Sequence, residues 1–316
     1  MKSSYSNIFS FNKKILKKTV KFLMQGNIAS LPTETVYGLA GNAYSKKAVK
    51  KIYNLKKRPK KNPLIIHYYN INKLDKDVEL NDNFFKLYKK FCPGPITFIL
   101  KKTKSSKISA LATANLKTVA IRFPSQKIIR AVLKRINFPL AMPSANKSSA
   151  LSPVSAFDVF EEFKKKVSII INGGYSRIGI ESTVLDLTGK PKILRPGIIT
   201  NNEIKKYLKV SLSKRKSKIK SPGMLKKHYS PGLPIIRNIK LKYNTKDAFI
   251  VFGKKFKNRS NFFNLSKKAD LNEAAANLYR TMRKIKNMGY KKIYVSKIPN
   301  VGSGIAINDR LKRASK

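Results

Sequence analysis

The 316-residue chain has no tryptophan, one cysteine, two histidines and only 15 acidic side chains. Each scarcity removes a class of protein. The single cysteine, Cys92, excludes an internal disulfide and a cysteine-based zinc site, and it suits a reducing cytoplasm. No stretch approaches the roughly 18 apolar residues of a membrane-spanning helix, so no membrane is expected as a partner. The N-terminal MKSSYSNIFSFNKKILKK lacks a sustained apolar segment and a small-residue cleavage site, and it reads as a leader into the first helix. Also missing are the GxxxxGK[ST] and GxGxxG phosphate loops, HExxH, CxxC and GxSxG. A nucleotide bound here must be held by a different arrangement.

What the chain has in excess is positive charge, a formal +54 from 69 basic residues. Two explanations stay open. Clustered Lys and Arg release counterions from phosphate backbones and would attract polyanions. Lysine, however, dominates the excess and is spread over nearly every polar face, and Asn and Ile are abundant too, as an AT-rich coding sequence would produce.

Periodicity gives the organisation. A helix is expected over residues 12 to 25, capped by Asn12 and stopped by Gly26, and another over SKKAVKKIYNLKK, capped by Ser45 and ending near Arg58-Pro59. Strands are expected at IASLP, 63 to 68, 96 to 102, 118 to 124, 138 to 145, 167 to 172 and 182 to 187, with helices near 82 to 91, 125 to 136 and 155 to 166. This alternation predicts a mixed α/β sheet with flanking helices. A Lys/Ser-rich stretch at 210 to 224 reads as a linker, and LPIIRN, AFIVFG, KKIYVSKI and a helix from about 271 to 288 predict a small second α/β unit. The expected division is 1–210, a linker or lid at 211–233, and 234–316.

Several residue groups could carry chemistry. In PTETVYGLAG, Pro32 stops the strand, and Thr33 and Thr35 then offer hydroxyls at its mouth. Lys56 and Arg58 lie together in KKRP, followed by Asn62 and by His67 inside a strand. Arg as a fork and Lys as a point charge suit one phosphate chain. A lone histidine on a strand is more often a satisfied core residue than a ligand. Arg122 interrupts the apolar TVAIRFP and Arg195 ends KILRPG. With so few acids in the chain, both are expected to take an outside carboxylate or phosphate as their mate. AMPSANKSSALSP gathers Ser144, Asn146, Ser148, Ser149 and Ser152 in one loop, and Ser182 and Thr183 open STVLDL.

These pieces resemble the YrdC-like family of threonylcarbamoyl-adenylate synthases in its long two-domain form. The matching stretches are LPTETVYGLAG, YNLKKRPKKNPLIIH, FCPGPITFIL, VAIRFP, PSANKSSALSP, INGG, ESTVLDL, LRPG, SPGMLKKHYSP and VGSGIAINDRL, in the family's order across residues 31 to 312. Residues 236 to 290 match least. The family has Gly where Ser149 stands, and often Gly at the position of Ala40.

The resemblance implies a twisted sheet around a basic concave site and an enzyme that joins L-threonine, bicarbonate and ATP into threonylcarbamoyl-AMP and pyrophosphate. That product would pass to the machinery that transfers the threonylcarbamoyl group to tRNA. A non-catalytic RNA-binding protein of the same fold is the rival reading, and weak RNA binding is compatible with either. By the resemblance, Thr33, Thr35, His67, Arg122 and Ser182 hold L-threonine, with Arg122 on its carboxylate. Arg58, Asn62, Thr118, Ser144, Asn146, Ser152, Arg195 and Tyr229 contact ATP. Lys56 and Arg58 serve the chemistry, and Tyr229 folds over the site from the linker. Magnesium would be held mainly by phosphate oxygens and water, since carboxylates are scarce and no protein metal site is expected.

Overall fold

A computed structural model of the chain describes residues 5–212, 228–237, 246–256 and 259–315. The first unit runs β1 (Ile8–Ser10), α1 (Lys13–Met24), β2 (Ala29–Leu31), β3 (Gly38–Asn42), α2 (Lys46–Lys56), β4 (Ile65–His67), α3 (Asp82–Phe91), β5 (Ile96–Lys101) and β6 (Thr118–Arg122). It continues with α4 (Lys127–Leu133), β7 (Leu140–Ala141), α5 (Ala156–Phe163), β8 (Ile170–Asn172), β9 (Thr183–Asp186), β10 (Lys192–Arg195), α6 (Asn201–Lys205) and β11 (Ser211–Leu212). The second runs β12 (Ile235–Arg237), β13 (Ala248–Val251), β14 (Phe262–Asn264), α7 (Leu271–Asn287), β15 (Ile293–Val295) and α8 (Gly304–Ala314).

Local signals set the helix ends. The Asn12 side chain accepts from the Ile15 amide and Ser45 from the Ala48 amide, each satisfying an orphan donor of a first turn. Ser155 and Asp158 form a reciprocal capping box at α5. α2 closes on Lys57 in the left-handed region, just before Pro59.

The first eleven strands form one mixed sheet in the order β1-β8-β2-β3-β7-β4-β6-β5-β9-β10-β11. Apolar clusters cover it. α1 and α4 pack Leu16, Leu23, Ile129 and Val132 against Leu31 and Ile171, and α3 contributes Phe84 and Leu87 to a second cluster with Phe98 and Ile121. The second unit is a parallel sheet, β12-β15-β13-β14, backed by α7 and α8.

The two units share a core. Val36, Leu151, Val154, Ile178 and Ile180 of the first pack with Ala275, Leu278 and Met282 of α7. Gly179 permits the approach: its φ is +74°, and a Cβ there would stand 2.6 Å from the Ala276 Cα.

Two expectations need correction. Residues 8–10 are a strand paired in parallel with β8, not a leader into the first helix. The strand expected at 138–145 shrinks to Leu140–Ala141, because Pro139 and Pro143 bracket it and neither can donate to a ladder. VGSGIAINDRL, quoted above only as a motif, is largely the helix α8. Of the stretch read as linker, Ser211–Leu212 pairs with β10, and 213–227 lies outside the described residues.

Candidate active site

One rung crosses the large sheet and carries its polar residues. His67 on β4 pairs with Arg122 on β6, Arg122 with Thr97 on β5, Thr97 with Val184 on β9, and Val184 with Arg195 on β10. Residues paired in register share a face, so one side of the sheet receives two arginines, a histidine and a threonine in a row. Ile65, Ile99 and Ala120, one rung away on that face, form an apolar floor with Val184.

Around the rung lies a cleft lined among others by Thr33, Thr35, Arg58, His67, Arg122, Ser144, Arg195, His228 and Tyr229. The turn after β2 forms one wall. Arg122 Nη1 donates to Thr35 Oγ1 at 2.8 Å, the Thr35 and Thr33 hydroxyls stand 2.8 Å apart, and Thr33 Oγ1 donates to the Val36 carbonyl at 2.7 Å. Because the Thr33 proton goes to Val36, Thr35 must donate to Thr33, which fixes both hydroxyls.

Glu34, between them, ion-pairs with Arg122 Nη2 at 2.6 Å and accepts from the Ser125 amide at 3.2 Å. The expectation that Arg122 lacks an internal carboxylate is therefore corrected. Both side chains are buried, and a buried guanidinium gains more from a fixed carboxylate than from an intermittent ligand. Arg122 Nε still has no hydrogen-bond partner.

The other cations differ. Arg58 donates from Nε to the Asn62 carbonyl (2.9 Å) and from Nη2 to the Pro63 carbonyl (2.8 Å). Arg195 donates from Nε to the Ser182 carbonyl and from Nη2 to its hydroxyl, each at 3.0 Å. Ser182 Oγ also meets Thr97 Oγ1 at 2.7 Å. Lys56, 1% exposed, donates to the carbonyls of Ser144 (2.6 Å) and Asn146. Among the described residues none of these three has a carboxylate at ion-pair distance, so their charge is left for an outside anion.

Burial lowers Lys56 well below its usual range, helped by the nearby Arg58 charge, and burial brings Arg58 down to about 10, helped by Arg195. Burial and Arg122 take His67 down to about 3, so it is neutral at physiological pH. Its Nδ1 lies 3.3 Å from the Ile65 carbonyl.

Of the remaining expected residues, Asn62 uses its carbonyl on Arg58 and on the Tyr53 hydroxyl, and its side-chain Oδ1 has no partner. Asn146 Nδ2 donates to the Lys147 and Ala150 carbonyls and so shapes the 146–150 loop, and its Oδ1 is likewise unpartnered. Ser152 donates to Glu181 at 2.5 Å. Thr118 begins β6 on the face of Arg122, four residues and about 13 Å along the strand, and does not line the cleft. Tyr229, buried and at φ 65°, stacks on Tyr279 of α7 with centroids 5.9 Å apart.

Sequence reasoning missed four residues here. All four stood in quoted motifs but were given no role: Glu34, His228, and Glu181 with Arg310, which lie 129 residues apart and make a 3.0 Å ion pair beside the cleft. For Glu181 burial pushes the carboxyl up, but Arg310 and Arg195 outweigh it and hold it down to about 2.

A mixed α/β sheet that lines up cations and hydroxyls on one face, with neighbouring lysine and arginine lacking internal carboxylates, defines a protein that handles phosphate and carboxylate groups. The Sua5_yciO_yrdC profile, described as telomere recombination, matches residues 21–197, and the threonylcarbamoyl-AMP synthase C-terminal domain profile matches 199–316. The chain is 35% identical to the threonylcarbamoyl-AMP synthase of Pyrococcus abyssi over 93% of its own length and 92% of that protein's. With the Bacillus subtilis enzyme of the same name the figures are 33%, 97% and 94%. The fold superposes on the crystal structure of P. abyssi Sua5 complexed with L-threonine with a TM-score of 0.90 at 33% identity, covering 98% of this chain and 97% of that one. The chain belongs to the threonylcarbamoyl-AMP synthase family and has both of its domains.

Proposed function

We propose that this protein condenses L-threonine, bicarbonate and ATP into threonylcarbamoyl-AMP and pyrophosphate, in the cleft above the His67–Arg122–Arg195 rung. The observation that carries the reading is that rung: it puts cations and fixed hydroxyls on one face of the sheet, beside Lys56 and Arg58. The threonine amine attacks bicarbonate carbon, and loss of water leaves a carbamate. A carbamate oxygen then attacks the α-phosphorus of ATP, the bond from that phosphorus to the β-phosphate oxygen breaks, and pyrophosphate leaves with the electron pair. Such a transfer needs alignment and charge stabilisation more than a protein acid or base.

In this reading Arg122, Thr35, Thr33, His67 and Ser182 hold threonine. The unpartnered Nε of Arg122 supplies a donor for its carboxylate, while the Thr35 hydroxyl, already donating to Thr33, orients the guanidinium. Arg58, Asn62, Ser144, Asn146, Ser152, Arg195 and Tyr229 serve ATP, and Thr118, about 13 Å along β6 from Arg122, would meet only a part of ATP that extends beyond the cleft. Lys56 and Arg58 stabilise charge on the transferring phosphate. The described residues contain no cluster of three or more His, Cys, Asp or Glu side chains that could hold a metal ion. A magnesium ion would therefore ride on phosphate oxygens and water and add charge neutralisation there.

The chain would divide at 1–210, 211–233 and 234–316. Among the described residues no helix is long and apolar enough to cross a membrane, and the single cysteine suits the cytoplasm. The labile product would pass to a tRNA-modifying transferase, and the surplus positive charge would lend weak affinity for RNA.

The test is to supply ATP, labelled bicarbonate and L-threonine and measure pyrophosphate. Release that requires threonine, and not serine or carbamoyl phosphate, is expected. Tight, salt-sensitive RNA binding without such release would refute the synthase.

A further inference from the structure

Helix α8 places a side chain of the second unit in the wall of the cleft. Arg310 is fully buried. Its Nε donates to Glu181 Oε2 at 3.0 Å and its Nη2 to the Glu181 carbonyl at 3.4 Å. Its Nη1 donates to the Pro196 carbonyl at 2.7 Å and to Asp309 Oδ2 at 3.2 Å, and the guanidinium lies 5.3 Å from the Tyr229 ring centre. One group from the C-terminal helix thus touches Glu181, Tyr229 and the backbone next to Arg195.

Glu181 is the single carboxylate among the described residues lining the cleft. It also accepts from Ser152 at 2.5 Å and from the Tyr279 hydroxyl at 3.1 Å. A carboxylate at the edge of a triphosphate site does harm in two ways: it repels the ligand, and it can pair with a cation the ligand needs. Arg195 is that cation, since its guanidinium turns to Ser182 and feels the charge of Glu181 without contacting it.

We infer that Arg310 is a positioning residue for ATP binding. It neutralises Glu181 and holds it on Ser152 and Tyr279, which leaves Arg195 free for a phosphate. The inference rests on the synthase reading for the identity of the ligand.

The experiment is calorimetric titration of the full-length protein, Arg310→Met, Glu181→Gln and the double variant, with a non-hydrolysable ATP analogue and separately with L-threonine. Arg310→Met is expected to weaken analogue binding at least tenfold while threonine binding shifts less than threefold. Adding Glu181→Gln should bring analogue affinity back to within threefold of the Glu181→Gln protein, because a neutral amide still accepts from Ser152 and Tyr279 but no longer competes for Arg195. The double variant removes both charges of the buried Glu181–Arg310 pair together, so it keeps the test decisive if Arg310→Met alone does not fold: analogue binding by the double variant more than threefold weaker than by Glu181→Gln overturns the inference. Equal losses for both ligands, or no recovery in the double variant, overturn it as well. The synthase reading is decided separately by threonine-dependent pyrophosphate release from the unaltered protein.

Discussion

Glu34 and Arg122 stand 2.6 Å apart, both buried, where the turn after β2 meets the end of β6. The pair answers why an acid sits between two threonines at a strand mouth. Glu34 anchors the guanidinium, while the flanking hydroxyls orient it from the other side. Replacing Glu34 with Gln removes the anion and leaves a buried cation less compensated, which costs roughly 3 kcal/mol or more. A ligand carboxylate could supply the missing charge. Scanning calorimetry should therefore show a lower Tm for Glu34→Gln and a larger upward shift on adding L-threonine than in the wild type. A threonine shift no greater than the wild type's would show that Arg122 does not meet the ligand carboxylate.

Arg122→Ala should separate the two substrates. With Glu34 then lacking its partner the fold weakens, but the expected kinetic signature is a KM for threonine raised at least tenfold and a KM for ATP moved by less than threefold, about 0.7 kcal/mol separating the two at minimum. Steady-state pyrophosphate release with each substrate varied in turn measures it. Equal rises would contradict the assigned role.

Acid should unfold the protein early. Burial, the largest cause, holds both His67 and His228 at about 3, against about 6.5 in an unfolded chain. Between those values the unfolded state binds more protons, so stability falls as pH falls through 6.5 toward 3. Glu181, held at about 2, adds loss in the same direction below its unfolded value near 4.5. Two histidines together cost roughly 2 kcal/mol between pH 6 and pH 5. Tm should drop by about 4–8 °C over that step, and by half as much in His228→Gln. A flat Tm there would mean that the histidines are charged in the folded protein.

Local signals made much of this fold legible in the sequence. Ser45 and the Ala48, Val49, Ile52 stripe announce α2, and β6 shows as an apolar run broken only by Arg122. Arg122 and Arg195 stood out because a lone cation in an apolar strand is conspicuous, and the register then aligned them. What stayed hidden depends on distance along the chain. Glu34 meets Arg122 across 88 residues and Glu181 meets Arg310 across 129. No periodicity reports such pairs, although in a chain with 15 acids each glutamate beside a site motif was itself a clue. β1, a three-residue strand completed only by β8, offered no pattern of its own.

Ser149 adopts a left-handed backbone, with φ 72°. A non-glycine residue in that region costs about 1 kcal/mol, partly offset by the freedom glycine gains in the unfolded chain. Ser149→Gly should thus raise stability slightly, by no more than about 1 kcal/mol in urea titrations. The turn carries the Ser230 amide, which donates to the Ser149 carbonyl at 2.8 Å, so the substitution should leave that contact intact. A clear destabilisation would show that the serine side chain contributes more than the strain it causes.

Lys56 separates fold from chemistry. Its ammonium is buried without a carboxylate at ion-pair distance, yet it donates to the Ser144 and Asn146 carbonyls and so ties the end of α2 to the loop beyond β7. Burial already lowers its pKa well below the usual range, so the charge is held there at a cost. Lys56→Met keeps the apolar stem and removes that cost, while two carbonyls lose a donor at about 1 kcal/mol each. The two effects nearly cancel in stability, and Tm should move by less than about 4 °C. In the proposed reading the lost charge serves the transferring phosphate and the loop holding Ser144 loses its tether, so catalysis has no such compensation. We expect kcat/KM for ATP to fall at least 100-fold, with CD and thermal melts reporting an intact fold. If the variant instead melts more than 10 °C lower with nearly normal kcat/KM, Lys56 is a structural tether and takes no part in phosphate transfer.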